Sequence, residues 1–333
     1  MKDERPLTEV AVGLVFDHHG RVLLGQRPAG KPYAGWWEFP GGKLEPGESP
    51  AAALARELHE ELGIAVRASR PWIVREHSYP HARVRLHFRR VFDWDGEPVA
   101  REGQAFGWTR PDAIDREPLL PATVPILAML ALPRRIVGLA ADRLADRPLP
   151  AIPRGPTAAA TAAAESAAGR PLRPRILFVL DLAEAPIRSG AAGHTAAETG
   201  LLARALQRVR AVPGAVVCAG AGWPASMGGL DGTGDGTQAL GCDGIVAPPD
   251  RLPARGAGLL GLRLDTLEDL ALLGKVDADF AVVTADVGAR LDAFAHALSM
   301  TTMPVYLRVA PGRNAGLRLA GLQGTASGCW PLA

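Results

Sequence analysis

The stretch GGKLEPGESPAAALARELHEELGI, Gly41 to Ile64, constrains its own structure more than any other part of this 333-residue chain. Ser49 is a good N-cap. Pro50 suits the first helical position because its missing N–H would have no intrahelical partner there, and Gly63 takes the left-handed conformation that ends a helix. The spacing therefore predicts a helix over 50–62. At about 100° per residue, Ala51, Leu54, Leu58 and Leu62 form a packing face, while Glu57, Glu60 and Glu61 gather within an adjoining arc of roughly 100°. Glu57 and Glu61 are like charges four residues apart, a pairing that costs roughly a few tenths of a kcal/mol unless a cation lies between them. Hard divalent cations take oxygen ligands of this kind. Carboxylate spacing alone also fits a solvated acidic face.

The loop before the helix narrows that choice. Gly41 and Gly42 permit close backbone approach, Gly47 permits a further turn, and Glu48 stands just before the cap, where it orients the loop or joins the carboxylates. Arg56 lies away from the leucines and is placed to clamp the loop through Glu48. The full pattern is Gly42, five residues, Glu48, seven residues, Arg56-Glu57-Leu58, one residue, Glu60-Glu61, one residue, Gly63-Ile64. It resembles the signature of the Nudix hydrolases, with every fixed position filled. The resemblance implies a mixed sheet between helices, Glu57, Glu60 and Glu61 as metal ligands, Mg2+ as cofactor with Mn2+ able to substitute, and cleavage of a nucleoside diphosphate linked to a further group.

Flanking segments bear on the substrate. WWEFPGG (36–42), GQRPAGKPYAG (25–35) and REGQAFGW (101–108) look like the MutT branch of that family, which sanitises oxidised guanine nucleotides, and like the 8-oxoguanine-recognising domain of some adenine glycosylases. On that resemblance Glu102 is a distal fourth metal carboxylate beside Glu57, Glu60 and Glu61, and Arg56 and Glu48 complete the catalytic set. Water would attack the β phosphorus of a nucleoside triphosphate and release pyrophosphate, one of the glutamates handling its proton. Arg27 is placed for a phosphate or base-edge contact, and Gly41 and Gly42 border the substrate. Phe39 and Tyr79 either line the base pocket or serve as plain core. PATVPIL (121–127) departs from the MutT pattern, carrying Thr123 where an asparagine reads the oxidised purine. One hydroxyl cannot make an amide's paired donor and acceptor contacts.

The leading reading is thus hydrolysis of 8-oxo-dGTP in nucleotide-pool sanitation and mutation avoidance. Three others stay open: hydrolysis of another nucleotide diphosphate derivative, a noncatalytic module that binds damaged guanine, and a transferase activity in the C-terminal half.

The length predicts two domains, an α/β and α+β chain. Residues 1–134 are expected to form the Nudix α/β/α sandwich, 135–174 an Ala/Pro-rich linker and 175–333 a divergent (β/α)8 TIM-like barrel. In the first part, VAVGLVF and the following DHHGRVLLGQR read as a hairpin closed near His19-Gly20, RVRLHFRRVF as a strand, and a second helix begins near Thr123. In the last part eight strands are expected: ILFVLD, RVRAV, AVVCAG, GIVAP, LLGLRL, FAVVTAD, PVYLRVA and GLQGTASG. RVRAV and AVVCAG stand too close to enclose a normal crossover helix. The succession resembles TenI-like and thiamine-phosphate-synthase barrels over 175–331, which implies a transferase with an aspartate at a strand end, here Asp181 or Asp286. NAGLRLAGLQGTASG lacks a clean two-glycine phosphate loop, so a repurposed, noncatalytic barrel is expected. The glycine-rich run 220–238 lacks the order of a P-loop and reads as a mobile loop.

The 37 basic and 35 acidic side chains nearly cancel, with no long basic run, so the expected partner is a small nucleotide and no nucleic-acid polymer. Cys218, Cys242 and Cys329 have no zinc-knuckle spacing and suit a reducing compartment. The N-terminus lacks a signal-peptide pattern and no apolar run reaches membrane-spanning length, so a soluble cytoplasmic protein with no membrane partner is expected. Oligomeric state is not legible in the sequence.

Overall fold

The computed structural model describes residues 5–133, 135–140, 176–181, 196–212, 215–220, 242–253, 258–273, 275–284, 291–299, 301–308 and 322–328. The chain divides into two compact units, with a break between Ala131 and Leu132.

The first unit contains, in order, β1 (Leu7–Val15), β2 (Val22–Gln26), β3 (Trp37–Glu38), β4 (Gly41–Lys43), α1 (Pro50–Leu62), β5 (Ala65–Ser78), β6 (Arg83–Asp95), β7 (Phe106–Thr109) and α2 (Thr123–Leu130). β1 is the organising strand. It pairs parallel to β6 along its whole length and antiparallel to β4, giving a four-stranded mixed sheet ordered β4-β1-β6-β5. β2, β3 and β7 form a second, antiparallel sheet. Side chains alternate along β1, so Ala11 and Val15 join Leu54, Leu58 and Leu62 of α1, whereas Val12 and Leu14 join Ile126 and Leu127 of α2. The result is a mixed sheet between helices, as expected. Gly13 lets α1 come close: a Cβ there would lie 3.0 Å from Leu54 Cδ1.

The hairpin expected from residues 10–27 forms only in part. The chain does reverse at 17–20, where Asp17 Oδ1 accepts from the backbone N–H groups of His19 and Arg21. The two strands then enter different sheets and meet in a single antiparallel bridge, Phe16 to Val22.

The second unit is built on β8 (Arg135–Ala140), β9 (Ile176–Asp181), α3 (Ala196–Arg210), β10 (Ala215–Ala219), β11 (Gly244–Ala247), β12 (Leu259–Leu264), β13 (Phe280–Val283), β14 (Val305–Arg308) and β15 (Leu322–Gly328). Among the described residues eight parallel strands close into a barrel in sequence order, with β15 pairing back onto β8. Ile136, Leu177, Val179, Val216, Cys218, Val246, Phe280, Val282 and Tyr306 come from six strands into one cluster that fills the barrel. The alternate residues Val137, Phe178, Leu180 and Val217 pack outward under Leu202, Ala205 and Val209 of α3.

The expected strand number is met by a different set of segments. RVRAV is no strand. Leu202, Ala205 and Val209 recur at helical spacing on a buried face, so α3 continues through Arg210. RIVGLA, read as the start of the linker, is the eighth strand, β8, and pairs with both β9 and β15. Asp286, Cys329, residues 141–174 and nearly all of the 220–238 run lie outside the described residues.

Candidate active site on helix α1

The local structure of α1 follows from its caps. Ser49 is extended (φ −79°, ψ 154°) and its Oγ accepts from Ala52 N–H at 3.2 Å. Gly63 is left-handed (φ 72°) and its N–H reaches the His59 carbonyl, which also accepts from Arg101 Nη1. Between these ends Ala53, Leu54, Leu58 and Leu62 are fully buried. Each leucine contributes about 1.5–3 kcal/mol of burial. That fixes the helix's rotation and points its acidic side at the loop after β4.

Arg56 is the hub of that side. Its Nε and Nη2 donate to Glu48 at 3.2 and 3.0 Å, its Nη1 to Glu57 at 2.9 Å and Glu60 at 3.3 Å, and its Nη2 also to the Lys43 carbonyl. Glu48 in turn accepts from Glu45 N–H at 3.1 Å. Hydrogen bonds from Arg56 and from the Glu45 backbone hold the Glu48 carboxyl below its usual range. The loop is therefore tied at both ends to one guanidinium.

Two glycines admit the carboxylates. A Cβ on Gly42 would stand 2.1 Å from Glu57 Cδ, so the Glu57 carboxylate occupies the space a side chain would need. At Gly41 (φ 141°) a Cβ would meet the Ala11 carbonyl oxygen at 2.2 Å, and the Gly41 N–H donates to Glu61 Oε2 at 3.3 Å. Burial, then the charge of Glu57, with smaller contributions from Glu102 and Glu38, pushes the Glu61 carboxyl up to about 7 against the Gly41 hydrogen bond.

This set suits a hard divalent ion by donor chemistry, being all oxygen, and by charge, since Glu61 sits beside other acids with one backbone N–H for relief. Among the described residues no three His, Cys, Asp or Glu side chains already converge at coordination distance. Glu57 and Glu60 are instead turned to Arg56. Glu102 is exposed in the loop before β7, 3.9 Å from Lys31, and near enough for its charge to act on Glu61.

Of the other sequence-chosen residues, Arg27 and Tyr79 lie near Glu38. Arg27 Nη1 donates to Glu38 Oε1 at 2.5 Å, and its Nε to the Pro32 carbonyl. Burial raises the Glu38 carboxyl, opposed by Arg27. Tyr79 is buried in the core and its phenol is pushed up to about 12, first by burial and then by the charge of Glu38. Phe39 is buried against Phe88, ring centroids 6.3 Å apart. Thr123 is buried at the start of α2, its N–H bonded to the Leu120 carbonyl. Phe39, Tyr79 and the neighbouring Trp37 and Ala122 belong to one hydrophobic cluster.

Sequence reasoning missed Glu38 as the partner of Arg27. It also missed Tyr33 and Trp36, which stack edge-on at 5.1 Å, with Tyr33 at 5.7 Å from Tyr79 and 5.9 Å from His81. Tyr33 has a positive φ of 60°, an uncommon conformation for a side-chain-bearing residue. WWEFPGG contained Glu38 three residues before the first of the glycines, which was the available signal.

A family model described as NUDIX domain matches residues 11–129. Over 122 residues the chain is 41% identical to the CTP pyrophosphohydrolase of Escherichia coli (strain K12), covering 36% of this chain and 90% of that protein. It is 35% identical to the 8-oxo-dGTP diphosphatase of Haemophilus influenzae over 127 residues, 38% of this chain and 93% of that protein. With the 8-oxo-dGTP diphosphatase of E. coli (strain K12) it shares 34% identity over 122 residues, 37% of this chain and 95% of that protein. The family model stops before β8, so the barrel's identity is not given by it.

Proposed function

The chain belongs to the Nudix family through residues 11–129, and on that premise we propose that it is a magnesium-dependent nucleoside triphosphate pyrophosphohydrolase that favours 8-oxo-dGTP. The observation that carries the reading is the arrangement on α1: three glutamates at i, i+3 and i+4 beside a loop whose glycines leave room for carboxylates and whose position is set by Arg56.

In this reading Glu57, Glu60, Glu61 and Glu102 hold the cation. When bound, magnesium neutralises phosphate oxygens and activates water. The chain's own residues do the rest. Arg56 and Glu48 keep the loop at a fixed distance from α1, so that the triphosphate is met by preorganised groups. Gly41 and Gly42 let the phosphate chain approach the backbone. A glutamate of the set accepts the proton of the attacking water, which adds at the β phosphorus while pyrophosphate leaves. Arg27, paired with Glu38, and the face of Tyr79 border the base.

A second reading, turnover mainly of another nucleoside triphosphate such as CTP, is favoured by Thr123 and by the 41% identical relative named a CTP pyrophosphohydrolase. Pyrophosphate release from 8-oxo-dGTP, dGTP and CTP in parallel, with nucleotide products identified, separates the two. A kcat/KM for 8-oxo-dGTP well above those for dGTP and CTP is the expected result; a preference for CTP keeps the chemistry and discards the oxidised purine.

For the barrel, we infer a repurposed, noncatalytic role for a TenI-like scaffold. Its support is the sequence resemblance together with eight parallel strands in sequence order.

A further inference from the structure

The last turn of α1 is held by the segment that carries Glu102. Carbonyls at the end of a helix lack intrahelical N–H partners and collect negative partial charge. Three in α1 are taken up by this segment: Val99 N–H donates to the Leu62 carbonyl at 2.9 Å, Arg101 N–H to the Glu61 carbonyl at 3.1 Å and Arg101 Nη1 to the His59 carbonyl at 3.0 Å. The guanidinium also lies on the glycine that ends the helix. A Cβ on Gly63 would stand 2.7 Å from Arg101 Nε and 2.9 Å from its Cζ. Gly63 is therefore required by its left-handed φ of 72° and again by the side chain resting on it.

Beyond Glu102 the segment is fastened a second time. The Ala105 carbonyl accepts from the N–H of Gln26, at the end of β2, at 2.8 Å. Between the two anchors stand Glu102, Gly103 and Gln104, with Gly103 turning at φ 74°. Glu102 comes directly after Arg101, whose N–H is bonded to the Glu61 carbonyl. Two of the four carboxylates assigned to the cation thus belong to residues joined through a single backbone hydrogen bond. The charge of Glu102 acts on Glu61. Its side chain is 47% exposed and meets Lys31 Nζ at 3.9 Å, a contact too open to water to hold a carboxylate in place. The position of Glu102 is set instead by its backbone, and the backbone is set by Arg101.

We propose that Arg101 is a positioning residue for the metal site: its grip on the end of α1 holds Glu102 against the helix that bears Glu57, Glu60 and Glu61. The inference rests on the reading of those four glutamates as the cation's ligands. Arg101 acts through Glu102 and needs no contact with the cation or the nucleotide. A helix cap alone would stabilise α1 with no particular link to Glu102, and that difference is measurable.

The test is Mn2+ binding to the nucleotide-free full chain, read by electron paramagnetic resonance of the free ion. Arg101→Ala and Glu102→Gln are each expected to weaken binding about tenfold. The double variant should bind no more weakly than Glu102→Gln alone, because the arginine then has no carboxylate to place. Arg101→Lys can still donate to the His59 carbonyl and should recover part of the loss. Arg101 is exposed, so its variants are expected to stay folded, which chemical denaturation checks. Wild-type affinity in Arg101→Ala, or the same loss from Arg101→Ala whether or not residue 102 is a carboxylate, overturns the positioning role and leaves the metal assignment standing. A wild-type chain that binds no Mn2+ removes the metal assignment, and the positioning role with it.

Discussion

Glu57 reaches the loop because Gly42 has no side chain, whereas Gly41 is a glycine because a backbone oxygen fills the space beside it. The two adjacent glycines therefore make different demands. Gly42→Ala is expected to displace Glu57 and lower turnover by about a hundredfold while the denaturation midpoint changes little. Gly41→Ala places a Cβ against the Ala11 carbonyl at a left-handed φ and is expected to destabilise the unit by about 1–3 kcal/mol in a chemical denaturation experiment. Glu61 yields a pH dependence. Its folded-state carboxyl, pushed to about 7, lies above the ordinary 4.5, so the native state holds a proton that the unfolded chain has already lost. Stability of the metal-free protein should then fall as pH rises from about 4.5 to about 7, by at most about 3 kcal/mol. In Glu61→Gln that slope should flatten; an unaltered slope assigns it to other groups.

At the scale of elements, sequence-local signals were the legible ones. α1 could be bounded residue by residue because Ser49, Pro50 and Gly63 act on their own backbone. The carboxylates and their spacing were equally visible, yet the Arg56 hub was legible only as a clamp on Glu48, because its bonds to Glu57, Glu60 and the Lys43 carbonyl depend on rotamers and on the path of β4. Strand pairing was not legible. Nothing in VAVGLVF shows that β1 takes β6 as a parallel neighbour and leaves β2 to another sheet. β5 went unread, its residues being mostly half-exposed with no clean alternation, and its pairing with β6 includes bulges. RVRAV alternates like a strand, and only the helical spacing of its buried neighbours decides against that. RIVGLA is six residues, too short to stand out from the alanine- and proline-rich text around it. β8 offers its own test: Ile136 is fully buried in the barrel interior, so Ile136→Ala should cost about 2–5 kcal/mol in the unfolding of the second unit. A near-zero effect would remove RIVGLA from the barrel.

Over the whole molecule, chemistry and bulk separate. The proposed hydrolytic residues, from Arg27 to Thr123, all lie in the first unit, which has cores on both faces of its mixed sheet. No described helix is long and apolar enough to cross a membrane. If the barrel is dispensable for the reaction, a fragment of residues 1–134 should fold and turn over substrate at a rate comparable to the full chain. A folded but inactive fragment would show that the second unit contributes to the chemistry. The measurement that bears most directly on the central claim is magnesium-dependent pyrophosphate release by the full chain beside its Glu57→Gln and Glu60→Gln variants. Each substitution removes a charged oxygen at nearly constant volume. Turnover that needs magnesium and is lost in both variants, with folding retained, is the expected result, and full activity in both would contradict the assignment of α1 as the metal-bearing helix.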